Sequence, residues 1–97
     1  MTKETETDEA FFARADQIIA TANNQIDDAS PGKVSASTLF AASRFNAFVT
    51  AQGFETGADM QDGIDEMLDY FVPQYRDMLK EHLEDYAKNF AKYTGRA

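Results

Sequence analysis

The sequence predicts an all-α protein: an antiparallel three-helix bundle whose long third helix is kinked or broken at Pro73. Three observations favour this fold class. Apolar residues recur at three- and four-residue spacings along three segments of the chain, as they do on one face of a helix. Proline and glycine clusters separate these segments. The length of 97 residues fits one domain, and the absence of cysteine excludes disulfide frameworks and cysteine-based metal sites.

The first predicted helix follows a polar, acidic tail. Residues 1–7 contain only Met, Thr, Lys and Glu, so we expect a disordered tail ahead of a single helical domain over residues 8–97. Thr7 or Asp8 is placed to cap the helix. Ser30, with the proline and glycine that follow it, is expected to end the helix. The apolar face consists of aromatic, isoleucine and alanine residues at helical spacing: Phe11, Phe12, Ala15, Ile18, Ile19, Ala22 and Ile26.

The second segment, residues 34–52, predicts the central helix of the bundle. Residues 34–58 include one basic and one acidic residue, whereas both flanking segments are strongly acidic. Small or apolar residues occur on all sides of this helix, which is typical of a helix buried against more than one neighbour. We expect Ser35 to cap its start and Gly53 to end it in the left-handed conformation.

A third apolar stripe extends from Met60 to Tyr93, after a predicted cap at Asp59. The stripe keeps its phase across Pro73, so a kinked helix and a break into two helices both remain open. A straight helix over residues 59–93 would span about 50 Å, whereas each partner helix reaches about 30 Å. Either the third helix bends around the core, or the aromatic residues near its end contact another chain. These predicted interface residues are Tyr86, Phe90 and Tyr93.

Three polar residues are candidates for a functional role: Arg44, Asn46 and His82. Arg44 is the sole charged residue of the apolar second helix, where an unpaired guanidinium is costly. It either pairs with an acid or, together with Asn46, binds a carboxylate or phosphate ligand. His82 lies within the third stripe, as a packed histidine or as a base or metal ligand. The di-iron pattern Glu-x-x-His is absent because Leu79 occupies the glutamate position, and we predict no catalytic residue, metal site or cofactor.

Composition narrows the function classes. A net charge of -8 with dispersed basic residues argues against nucleic-acid binding. The chain has neither a basic start followed by an apolar stretch nor an apolar run of about 18 residues, which predicts a cytoplasmic protein without a membrane segment. The favoured function is a non-enzymatic protein-interaction or self-association module. The alternatives are an anionic-ligand-binding protein or enzyme with a pocket around Arg44 and Asn46, and an acidic surface that docks on a basic partner.

Several short motifs resemble those of a family of small bacterial proteins of unknown function. They are residues 32–36 (GKVSA), 42–48 (ASRFNAF) and 74–79 (QYRDML), and residues 83–86 (LEDY) extend the likeness. The resemblance covers most of the chain from residue 11 to residue 86. It implies a stand-alone bacterial cytoplasmic protein and supplies no activity, cofactor or catalytic residue.

Overall fold

Residues 8–96, the part of the chain that the computed structural model describes, form five α-helices and no strand. The helices are α1 (Asp8–Asn24), α2 (Pro31–Ala51), α3 (Gly57–Asp62), α4 (Ile64–Lys88) and α5 (Phe90–Thr94). The predicted all-α class is therefore confirmed for this part of the chain. The disordered tail predicted for residues 1–7 lies outside the described residues. None of the helices between residues 8 and 96 combines the length and the apolar character needed to cross a bilayer.

The chain divides into two compact units, Met1–Gln52 and Gly53–Ala97. The first unit contains α1 and α2, and the second contains α3, α4 and α5. The single domain predicted over residues 8–97 stays a prediction.

The start of α2 differs from the predicted start. The hydroxyl of Ser30 accepts a hydrogen bond from the backbone N–H of Lys33 at 3.4 Å, and Pro31 occupies the first turn, where a missing N–H costs little. The helix therefore begins four residues before the predicted cap at Ser35. Gly53 is not left-handed either, because Gly95, with φ 71°, is the one residue with positive φ between residues 8 and 96.

The buried central helix is not found in the single chain. Val34, at 5% exposure, is the only buried side chain among residues 8–96. The large apolar side chains of α2 are exposed: Leu39, Phe40, Phe45, Phe48 and Val49. Within its unit, α2 has α1 as its neighbouring helix, and one helix cannot cover another on all sides. The prediction of a helix wrapped by its neighbours is therefore wrong for the chain by itself.

The second unit begins with a short helix packed at the start of a long one. The side-chain oxygen of Thr56 accepts a hydrogen bond from the N–H of Asp59 at 3.0 Å, so Thr56 is the cap and Asp59 lies in the first turn. Gly63 then separates α3 from α4. A Cβ atom at Gly63 would lie 3.2 Å from Cζ of Phe54, so the phenylalanine ring packs directly over this glycine.

The helix α4 continues through Pro73, so the predicted alternative of a break at this residue is wrong. Pro73 lies on the exposed side of the helix, where water can solvate the carbonyl that the proline leaves without a partner. The interruptions occur instead at Gly63 and at Asn89, whose φ and ψ are -109° and 35°. A kink at Pro73 stays a prediction.

Candidate functional site

The helix α4 has an exposed apolar stripe along one side. We call this set the α4 stripe; its members are Leu68, Val72, Tyr75, Leu79, Leu83 and Tyr86, and all of them are exposed. With 3.6 residues per turn, the six positions fall within about 80° of the helix circumference. Such spacing is typical of a helix that packs against another helix. Met67 and Phe71, at one margin of the stripe, are half-buried.

An open groove follows the carboxyl-terminal half of the α4 stripe. Its volume is about 380 Å³, and it is lined by Arg76, Leu79, Lys80, Leu83, Glu84 and Ala87. Leu79, Leu83 and Ala87 supply its apolar surface, and Arg76 and Lys80 give it a basic edge.

The ion pairs at the basic edge are pairs between exposed side chains. The Nζ atom of Lys80 donates to Oε2 of Glu84 at 2.8 Å. The Nη1 atom of Arg76 lies 3.8 Å from Oδ1 of Asp77. Exposed pairs of this kind contribute at most about 1 kcal/mol, so both cations can readily exchange these acids for another acidic group.

A cluster of hydrogen-bonded and stacked side chains joins α4 to α5. We call it the carboxyl-terminal cluster; it comprises Asp85, Tyr86, Asn89 and Tyr93. The rings of Tyr86 and Tyr93 stack with their centroids 3.9 Å apart and an interplanar angle of 18°. The hydroxyl of Tyr93 donates to Oδ2 of Asp85 at 2.6 Å, and the side-chain amide of Asn89 donates to Oδ1 of Asp85 at 2.8 Å.

These hydrogen bonds shift the pKa values of two groups in opposite directions. The bond from Tyr93, followed by the bond from Asn89, lowers the pKa of Asp85 below its usual 3.8. The same bond to the Asp85 carboxylate raises the pKa of Tyr93 above its usual 10.0. At neutral pH Asp85 is therefore ionised and Tyr93 protonated, an arrangement that strengthens their hydrogen bond and suits neither group to proton transfer.

Two of the predicted interface residues, Tyr86 and Tyr93, belong to this cluster, and Phe90 is the first residue of α5. All three remain accessible. Tyr86, Phe90 and Tyr93 are 51%, 39% and 40% exposed, respectively. The guanidinium carbon of Arg96 lies 5.3 Å from the ring centroid of Phe90. Because Tyr86 also belongs to the α4 stripe, the stripe and the aromatic cluster meet at this residue. An interface role for the three aromatic residues stays a prediction.

The predicted ligand-binding residues are not brought together on α2. Arg44 and Asn46 are both exposed, and their two-residue separation turns their side chains about 200° apart around the helix axis. Arg44 makes no ion pair with any other residue of the described range 8–96. His82 is exposed on α4, in the second unit. Between residues 8 and 96, no group of three or more acidic and histidine side chains is arranged to hold a metal ion.

Sequence reasoning did not identify Asp85 and Asn89 as the residues that hold Tyr93. The three residues are spaced by four, which places them on one face of a helix. A carboxylate four residues before an amide and eight before a tyrosine is a detectable signal, although the interruption at Asn89 determines whether the tyrosine reaches it.

The chain is similar to a protein family and to a solved structure. The sequence pattern of the family described as "Protein of unknown function (DUF3144)" matches residues 11–87. The NMR structure of the protein NB7890A from Shewanella sp. is 40% identical, with a TM-score of 0.74 over 92% of this chain and 95% of that chain. No curated protein matches this chain. The family match confirms the predicted resemblance to proteins of unknown function, and the chain belongs to the DUF3144 family.

Proposed function

We propose that this chain is a non-enzymatic self-association module whose exposed apolar faces are covered by a second copy. The observation that supports this proposal is the burial of Val34 alone among residues 8–96, while more than twenty large apolar side chains stay exposed. Soluble monomers rarely expose contiguous apolar patches larger than a few hundred Å². A chain with this surface gains stability by covering it.

The α4 stripe and the carboxyl-terminal cluster form the contact surface in this proposal. Together with Phe90, they include the six exposed apolar side chains of the α4 stripe and the exposed ring of Tyr93. Aromatic and aliphatic side chains of this kind are enriched at the cores of interfaces. The antiparallel bundle predicted from the sequence is then completed by helices of two chains.

The alternative functions have less support. Arg44 and Asn46 point to opposite sides of α2, so one ligand on this helix does not reach both side chains. The net charge of -8 disfavours binding to nucleic acid. The family resemblance favours a bacterial, cytoplasmic setting for the module.

Thermal unfolding at several protein concentrations tests the proposal. Self-association stabilises the folded state by mass action, so the Tm measured by far-ultraviolet circular dichroism should rise over about a hundredfold increase in concentration. A cooperative transition with the same Tm at every concentration would contradict self-association.

A further inference from the structure

The side chains that line the groove on α4 determine which kind of surface is complementary to it. Leu79, Leu83 and Ala87 line it with apolar surface. Its charged edge consists of Arg76, Lys80 and Glu84 and has a net positive charge. The complementary surface is therefore a short apolar segment with acidic residues along one edge, spaced to match cations that are four residues apart.

The amino-terminal half of α4 itself has this chemistry. Leu68 and Val72 belong to the exposed α4 stripe. Asp65 and Asp69 lie along one edge of the α4 stripe. Arg76 and Lys80 lie along the same edge, nearer the carboxyl terminus of the helix. Neither aspartate forms an ion pair within residues 8–96, so both carboxylates are accessible to a second molecule.

The spacing of the charged residues determines how the two α4 helices of a pair are oriented relative to each other. The two aspartates are four residues apart, and so are the two cations. In an antiparallel pair of α4 helices, Asp69 faces the partner's Arg76 while Asp65 faces the partner's Lys80. Two-fold symmetry repeats both ion pairs on the other side of the axis. A parallel pair with two-fold symmetry would instead place the charged edges of the two helices on opposite sides of the interface, where they form no ion pairs with each other.

The same register aligns the apolar side chains. When Asp69 faces the partner's Arg76, Leu68 lies beside the partner's Leu79 and Val72 beside the partner's Tyr75. These contacts are of the kind that antiparallel helices make at three- and four-residue spacings. Antiparallel helices also oppose their dipoles favourably.

We infer that α4 binds the α4 helix of a second copy in antiparallel orientation, and that Ile64 and Leu68 at the beginning of each helix lie against Leu83 and Leu79 in the groove of the other. The inference rests on the proposed self-association and adds the surface, the orientation and the charged residues that determine the choice of partner.

Two charge variants and their mixture test this inference. The basic variant contains Asp65→Lys and Asp69→Lys, and the acidic variant contains Arg76→Glu and Lys80→Glu. Each variant alone places like charges at all four positions of the symmetric pair, so its self-association should weaken at least about tenfold. An equimolar mixture should recover the association of the wild type as a heterodimer, which native mass spectrometry distinguishes from either homodimer.

A variant on the far side of α4 provides the matched control. Glu66→Lys combined with Glu81→Lys makes the same change of charge at two exposed positions, about 140° and 160° around the helix from the centre of the α4 stripe. Neither glutamate forms an ion pair within residues 8–96. This control should associate as the wild type does. Circular dichroism of each variant checks that the helices are intact, and recovery in the mixture excludes loss of folding as the cause of weak association.

Each outcome decides between the two proposals. If the wild type associates and both charge variants associate equally well alone, the antiparallel contact is wrong while self-association stands. Weak association of both variants without recovery in the mixture also overturns the contact. A wild type that is monomeric overturns self-association and the contact together.

Discussion

Replacement of Leu83 by alanine should weaken self-association about a hundredfold, and the size of this effect follows from the structure. Leu83 is 60% exposed in the single chain. Burial of one CH₂ group is worth about 0.8 kcal/mol, so the three carbon groups removed are worth about 2.4 kcal/mol when fully buried. The interface can bury the exposed share, about 1.4 kcal/mol per copy. A symmetric dimer loses this contribution twice, about 3 kcal/mol, which corresponds to about a hundredfold change in Kd.

Sedimentation velocity over a dilution series measures this change. Alanine is a stronger helix former than leucine, so the circular dichroism of Leu83→Ala should match that of the wild type. Tyr70→Ala is the control, because Tyr70 is also 60% exposed but lies on the side of α4 away from the stripe. An unchanged Kd in Leu83→Ala, or an equal loss in both variants, would refute the assignment of the α4 stripe as the contact surface.

Two further predictions concern the second unit. Gly63→Ala should lower the free energy of unfolding by about 1 kcal/mol in urea titrations, since its Cβ would lie 3.2 Å from Cζ of Phe54. Gly57→Ala, with no atom within 4 Å of its Cβ, should not be destabilising, and equal losses at both glycines would show that the Phe54 contact is unimportant. Asp85→Asn should return the pKa of Tyr93 toward 10.0, which tyrosinate absorbance during an alkaline titration detects; an unchanged titration would contradict the hydrogen bond. Because the pKa of Asp85 is lowered and that of Tyr93 raised by folding, their bond should stabilise the wild type at neutral pH. That stability should be lost as pH falls through the folded-state pKa of Asp85 or rises through that of Tyr93.

Local patterns predicted the helical class and the stripe on α4, because the periodicity of apolar residues follows directly from helix geometry. They predicted the helix boundaries less well. The pattern Ser-Pro-Gly at residues 30–32 predicts the end of the first helix, whereas the side chain of Ser30 caps the helix that begins at Pro31. Pro73 is tolerated within α4, whereas Gly63 interrupts the helical region where the ring of Phe54 packs over it. Such contacts between distant residues are not visible in local spacing.

The candidate site was predicted in part. The stripe predicts Tyr86, Phe90 and Tyr93 as interface residues if the third helix contacts another chain, and the structure stacks the rings of Tyr86 and Tyr93. Their interface role stays a prediction. The interruption at Asn89 and the hydrogen bonds to Asp85 were not predicted, because they depend on the local geometry of the chain end. The apolar sides of α2 were expected to be buried within one chain. An apolar helix surface indicates burial against another helix, but it does not indicate whether that helix belongs to the same chain or to a second one.

The molar mass of the wild type in solution tests the central claim most directly. Light scattering coupled to size-exclusion chromatography should give a mass near twice that of the 10.8 kDa chain. The mass should fall toward that of the single chain on dilution, as an equilibrium between two copies requires. A constant mass of one chain at every concentration, in a protein that still unfolds cooperatively, would contradict the claim that a second copy covers these helices.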